Sequence, residues 1–210
     1  CLACAAGKYS TTAGNAEETG CARCDAGKYS STVGADNVNL CQDCAAGKYG
    51  PSEGNDDAAD CIACVAGKYA STTGNDAEAD CVKCAAGTYV ASVGAVSIDA
   101  CLPCGAGKFS SIRGSNQEAN CVRCDAGKYS ASSGATTEDT CSRCAAGKYS
   151  TVQGADSSAA CVNCVAGTYA DATASTTCAL CVSGKYSTLE GAASMDTCVN
   201  CAAGKYSRVA

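Results

Sequence analysis

The sequence predicts a small disulfide-rich fold, mainly β or irregular with almost no helix, built as an elongated tandem-repeat solenoid of about 20-residue units. Three observations carry that prediction. Cys-x-x-Cys recurs eleven times, with first cysteines at Cys1, Cys21, Cys41, Cys61, Cys81, Cys101, Cys121, Cys141, Cys161, Cys178 and Cys198. A short fixed period marks stacked supersecondary units that bury their faces against their neighbours. Leu, Ile, Val and Phe together supply only about a tenth of the 210 residues, too little for an ordinary hydrophobic core. Cysteine supplies another tenth, 22 residues. That is the composition of a scaffold whose cross-links restrict the unfolded chain and form in an oxidising compartment, hence outside the cell or at its surface.

The period divides the chain into eight regular repeats over 1–160, a shortened repeat at 161–177, a regular one at 178–197 and the start of a further one at 198–210. The first cysteine at position 1 and the stop at Ala210 inside an eleventh unit read as a segment of a longer chain. Within the template 1–20, Gly7 never varies among the repeats, which predicts a positive φ or a close backbone approach beside a disulfide. Lys8-Tyr9-Ser10 reads as a short strand, and Gly14, after the polar run Ser10-Thr11-Thr12-Ala13, as the corner of a turn.

The only large rings occupy one repeat position: Tyr9, Tyr29, Tyr49, Tyr69, Tyr89, Phe109, Tyr129, Tyr149, Tyr169, Tyr186 and Tyr206. Each is expected to pack on a disulfide and on the adjoining repeat, supplying buried area that the missing core cannot. Phe109 indicates that the ring matters more than the hydroxyl. Lys8 and its equivalents are expected to be solvated or paired with loop acids, and Thr88 and Thr168 show that the charge is dispensable.

A strict translation of the repeat requires a first cysteine to bond a second one. That leaves three schemes: closure within each Cys-x-x-Cys, a bond from a second cysteine to the next first one, or a longer bond from a first cysteine to the next second one. Cys4-Ala-Ala-Gly-Lys-Tyr-Ser followed by Cys21 resembles the small first module of tumour necrosis factor receptor ectodomains, and is equally similar to ephrin-receptor-like cysteine-rich repeats. The resemblance implies the pairs Cys4–Cys21, Cys24–Cys41, Cys44–Cys61, Cys64–Cys81, Cys84–Cys101, Cys104–Cys121, Cys124–Cys141, Cys144–Cys161, Cys164–Cys178 and Cys181–Cys198, leaving Cys1 and Cys201 to partners outside the segment. The receptor pattern interleaves a second, more cysteine-rich module, whereas this chain repeats one module only.

Rival chemistry for the same residues is weaker. The spacing of successive Cys-x-x-Cys pairs also suits four-cysteine zinc sites, but the pairs are odd in number and the chain has no His. Eleven copies in a helix-poor chain argue against a single redox centre. Acidic loops such as Asn55-Asp56-Asp57 with Asp60, and Asn75-Asp76 with Glu78 and Asp80, offer calcium-type oxygens without matching a calcium-loop pattern. Without histidine there is no Ser-His-acid constellation, and no glycine pattern forms a phosphate loop. No enzymatic activity and no cofactor are expected.

The net charge of −6 is taken as spread over the repeats, which disfavours nucleic acid. No apolar run approaches a membrane span, so no membrane contact is expected within the segment. There is no Asn-x-Ser/Thr sequon. Candidate O-glycan carriers are Ser10, Thr11, Thr12, Ser71, Thr72, Thr73, Thr136, Thr137, Ser175, Thr176 and Thr177.

The ninth unit, three residues short, is read as replacing its turn with Tyr169-Ala170-Asp171-Ala172-Thr173 and as altering the local twist. The function expected from uniform repetition is structural: an extracellular rod, stalk or fibre that self-associates or joins other extracellular structural proteins. A ligand-binding or adhesion ectodomain of a cell-surface receptor is the alternative.

Overall fold

The computed structural model describes residues 2–13 and 17–207. Cys1, expected to bond outside the segment, and Gly14, expected at a turn corner, lie outside the described residues. The chain falls into two compact units, Cys1–Leu102 with Ile112–Asn120, and Pro103–Ser111 with Cys121–Ala210. Each is assembled from the same rung.

The repeat that begins at Cys21 shows how a rung forms. Asp25-Ala26-Gly27-Lys28 closes a turn as the Lys28 N–H donates to the Asp25 carbonyl at 3.1 Å. Gly27, at φ +80, supplies the left-handed third position of that turn. The strand Lys28–Tyr29 pairs antiparallel with Gln42–Asp43, Lys28 facing Asp43 and Tyr29 facing Gln42. Between the strands the chain turns at Gly34 and winds one 3-10 turn, Val38–Leu40, capped by the Asn37 side chain, which accepts from the Asn39 N–H at 2.9 Å. The disulfide Cys24–Cys41 clamps the loop, its Cα atoms 5.6 Å apart. The described residues hold ten such two-stranded sheets, and their helices are 3-10 turns of three residues.

Backbone hydrogen bonds join each repeat to the next. In the first unit Gly27 N–H donates to the Gly50 carbonyl at 2.7 Å, Ser30 N–H to Asn55 at 3.1 Å, and Gly54 N–H back to Cys24 at 2.8 Å. In the second, the equivalent bonds run from Gly127 to Ser150 at 2.9 Å, Ser130 to Ala155 at 3.0 Å, and Gly154 to Cys124 at 2.8 Å. Tyr29 bridges Asn55 in parallel, as Tyr129 bridges Ala155.

The first glycine does more than turn. A Cβ on Gly27 would fall 2.3 Å from the carbonyl oxygen of Gly74, two repeats along, and one on Gly7 would fall 2.2 Å from that of Gly54. The close approach is therefore to the backbone two units on and not to the disulfide, as the sequence had suggested.

The interior is made of cysteine and small residues. Cys24, Cys44, Cys64, Cys104, Cys124 and Cys164 are fully buried. Also buried are the residue after the ring (Ser30, Ala70, Val90, Ser110, Ser130, Ser150) and the residue after the second glycine (Ala35, Asn55, Asn75, Ala95, Ser115, Ala135, Ala155). The two asparagines keep their polar groups satisfied: the Asn75 Nδ2 donates to the Lys48 carbonyl at 3.1 Å and to Thr72 at 2.8 Å, and Asn55 Nδ2 donates to Lys28. Burial without such a partner would cost about 1–3 kcal/mol.

The short ninth repeat keeps its turn. Ala174 stands at the second-glycine position in the left-handed conformation, φ +60, the only non-glycine residue to do so among the described residues. The three missing residues are those of the 3-10 turn, which is absent between Ser158–Ala160 and Met195–Thr197. The expected replacement of the turn is thus corrected. The ladder continues across the gap, with Ala170 N–H donating to Ala192 at 3.0 Å and Gly191 N–H to Cys164 at 2.7 Å.

Candidate functional site

The ten disulfides join Cys4 to Cys21, Cys24 to Cys41, Cys44 to Cys61, Cys64 to Cys81, Cys84 to Cys101, Cys104 to Cys121, Cys124 to Cys141, Cys144 to Cys161, Cys164 to Cys178 and Cys181 to Cys198. Their Cα separations of 5.5–5.8 Å lie in the range that a disulfide spans. Each closes a loop of about 18 residues, about 3 kcal/mol in the chain-entropy model. Cys201 keeps a free, partly buried thiol. With these cysteines bonded, the zinc reading has no thiolate set, and the described residues hold no group of three His, Cys, Asp or Glu arranged around a metal.

The rings are half-buried, not fully enclosed. Tyr49 packs against the buried cluster of Cys64, Ala70 and Cys81. Tyr69, Ala100 and Cys101 pack against the cluster of Cys84, Val90 and Ala95. Tyr186 and Tyr206, in the last two repeats described, are exposed. The disulfide stack, capped by rings, replaces a core.

On the other side of each sheet stand the charges. Lys8 faces Arg23, Lys68 faces Lys83, Lys108 faces Arg123 and Lys128 faces Arg143. Like charges directly opposite on a sheet are unfavourable. A carboxylate offsets the repulsion: Lys8 donates to Glu18, Lys68 to Glu78 at 2.7 Å, and Lys128 to Glu138. The lysine hydrogen bond, with its charge, holds Glu18 and Glu78 below the ordinary glutamate value, and Glu138 is held down by Lys128 with Arg143 adding to it. Where the repeat has no such Glu, Lys28 bonds Asp43 across the strand and lowers that carboxyl. On these rungs the lysines are paired with acids, one of the alternatives that the sequence offered, and are not simply solvated.

The acidic loops have backbone work of their own. Asp60 accepts from the N–H groups of Asp56 and Asp57, and Asp57 accepts from that of Ala59 at 2.8 Å. Asp80 accepts from Asp76 and Ala77. These are helix-start caps, which explains the Asn-Asp pattern without calcium.

Of the hydroxyl residues singled out, Thr11, Thr12, Ser71, Thr72, Thr73, Thr136, Thr137, Thr176 and Thr177 are exposed. Ser10 and Ser175 are half-buried, at positions whose counterparts Ser30 and Ser115 are closed off. The Ser175 hydroxyl donates to the Ala172 carbonyl at 2.8 Å.

The repeats also match a known type. The family model described as tyrosine-protein kinase ephrin type A/B receptor-like matches residues 54–101 and 72–121. Residues 54–121 therefore carry tandem cysteine-rich repeats that match the ephrin-receptor-like type. The matched repeats use the same cysteine, glycine and ring positions as those on either side of them. No curated protein matches the chain. Disulfides at this density and the ephrin-receptor-like type fit an extracellular location, and the type is a non-catalytic ectodomain module. Among the described residues no helix is long and apolar enough to cross a membrane.

Proposed function

We propose that this chain is an extracellular structural array, a rod, stalk or fibre element whose useful properties are length and resistance to unfolding and proteolysis. The observation that carries the reading is the recurrence of the same backbone bonds between successive repeats, as from Gly27 to Gly50 at 2.7 Å in the first unit and from Gly127 to Ser150 at 2.9 Å in the second. Stacked repeats of this kind gain stability by nearest-neighbour addition and grow without redesign. Self-association and O-linked sugar on the exposed turn hydroxyls, such as Thr11, Thr12 and Ser71, belong to the same proposal.

Small-angle scattering of the intact chain and of a version with residues 41–80 duplicated tests it. The maximum dimension should rise by a fixed increment with the duplicated pair; an unchanged dimension sinks the reading. The ephrin-receptor-like match favours a second reading, a receptor or adhesion ectodomain that presents or binds a protein ligand. Capture of a soluble ligand by the monomer in solution would favour it over the array.

A further inference from the structure

One turn departs from the pattern of the others. Val93, Val96 and Ile98, within six residues of the fifth repeat, are 68 %, 56 % and 62 % exposed. The same positions carry Thr73, Asp76 and Glu78 in the fourth repeat and Ser133, Thr136 and Glu138 in the seventh, and no other repeat from 1 to 160 is apolar at all three. The ion pair of the rung is replaced at both ends together. Lys68 bonds Glu78 and Lys128 bonds Glu138, whereas Thr88 and Ile98 hold those places in the fifth repeat, and the Thr88 hydroxyl donates to the Ala85 carbonyl at 2.8 Å. The cover over the turn is reduced as well. A Cβ on Gly54 would meet the Arg23 side chain at 3.4 Å and one on Gly114 the Lys83 side chain at 3.2 Å, but the nearest atom to one on Gly94 is the Ala63 methyl at 3.6 Å. These changes leave on the order of 300 Å² of aliphatic surface in water, an area in the range of apolar interaction patches.

Charge identifies the occupant. The acids are not spread evenly, contrary to the expectation from the sequence: residues 53–80 hold seven against Lys68 alone, which equals the net charge of the whole chain, −6. Asp56 and Asp76, both exposed, hold in the two preceding repeats the position that Val96 holds in the fifth. The apolar turn thus follows acidic turns at the same repeat position, within one compact unit. A second copy of the chain does not match this surface. Its first unit has the same acidic excess, and its second unit carries eight basic against seven acidic side chains. Two such turns face to face would bury about 600 Å², below the roughly 1,200 Å² of a specific interface.

We propose that the fifth-repeat turn is the docking point for a protein segment that combines an aliphatic or aromatic anchor with lysine or arginine, the anchor seated on Val93, Val96 and Ile98 and the cations on Asp56 and Asp76. The proposal rests on the second reading above, an ectodomain that binds a protein ligand, and gives that ligand's chemistry and its place. Burial of the anchor holds the segment, while the acids speed its approach and reject anionic competitors.

Fluorescence anisotropy with a labelled peptide of four leucines followed by four lysines, added to the intact oxidised chain, tests the proposal. The parent should bind it about tenfold or more tighter than peptides with glutamate in place of lysine or serine in place of leucine. Val96→Asp/Ile98→Glu, which restores the residues of the fourth repeat, should weaken binding by about tenfold or more. The same change adds two acids, so a purely electrostatic association would tighten instead. Asp56→Asn/Asp76→Asn should weaken binding by about threefold or more and reduce its dependence on salt. Val162→Glu, at an exposed valine of the second unit, should bind as the parent does. Disulfide mapping of each variant by non-reducing peptide mass reports that it has folded. A parent that does not distinguish the three peptides overturns the proposal, as does unchanged binding by Val96→Asp/Ile98→Glu. Self-association of the parent that this variant loses in sedimentation would seat a second copy on the turn and overturn the partner named. A soluble protein captured equally by parent and variant would leave the ectodomain reading standing while this one falls, so the two fail separately.

Discussion

The eighth and ninth repeats differ by three residues, and the difference separates what the unit needs from what it can lose. In the eighth, Ser158–Ala160 form the 3-10 turn that leads into Cys161. The ninth drops that turn and still closes Cys164 on Cys178, with a sequence separation of 14 in place of 17. The turn at Gly27-type and Gly34-type positions, the two-residue strands and the bonds from Ala170 to Ala192 and from Gly191 to Cys164 survive the loss. The repeat thus has an obligatory half, from the second cysteine through the second glycine, and an adjustable loop that sets only how far away the next repeat begins.

The largest expected effect tests the obligatory half. A Cβ on Gly147 would lie 2.1 Å from the Gly191 carbonyl oxygen, whereas one on Gly94 would meet nothing closer than the Ala63 side chain at 3.6 Å. Both have positive φ. Gly147→Ala should therefore cost about 3–5 kcal/mol, from left-handed strain plus overpacking, and Gly94→Ala only about 1–2 from strain alone. Guanidinium unfolding of the oxidised chain measures both, and equal losses would show that the contact two repeats away is not what fixes this glycine.

Deleting residues 158–160, which gives the eighth repeat the form of the ninth, should retain all ten disulfides and cost about 1 kcal/mol or less, since loop closure depends weakly on length. Loss of the native pairing in peptide mapping would mean that the loop is not adjustable after all. In the opposite sense, Ala174→Gly should stabilise the ninth repeat by about 0.5–1 kcal/mol. Relief of a left-handed alanine outweighs the extra freedom glycine gives the unfolded chain.

The smallest effect concerns the charges that the two repeats lack. Glu138 in the seventh repeat is held below its ordinary value by Lys128 and Arg143, while the eighth has Ser158 at that position and the ninth has none. A carboxyl lowered on folding contributes stability that is present above its unfolded value and is lost as pH falls through the lowered folded value. Acidification below about pH 4.5 should therefore loosen the seventh rung slightly and leave the eighth and ninth unchanged. Hydrogen exchange at Lys128 and Lys148 across that range checks it, and Glu138→Gln should abolish the difference.

Much of this was legible in the residues. The cysteine period marks the rung, the recurring glycine, Lys or Thr, and ring mark the turn and strand, and scarcity of large aliphatics marks the disulfide stack as the interior. The buried columns were harder to see. The residue after the ring is Ser, Gly, Ala or Val in every repeat, and the residue after the second glycine is Asn, Ala or Ser. Their constant smallness is the signal, but serine and asparagine resemble turn residues until backbone groups satisfy them. The glycine contact was mislocated because its partner lies two periods away, beyond the neighbour that a repeat pattern leads one to consider. The ninth repeat was misread because alanine in a left-handed turn breaks the rule by which such turns are recognised.

The pairing of each second cysteine with the next first one also bears on how the chain is made. As the polypeptide emerges in order, Cys24 is the unbonded thiol waiting when Cys41 appears, and Cys44, the competitor, arrives three residues later. Every correct bond is therefore available before its nearest rival, provided the preceding one has formed. Secretion itself can act as the proofreader, so that a chain with twenty paired cysteines needs little reshuffling when oxidised as it is threaded out, and a great deal when refolded all at once from the reduced state.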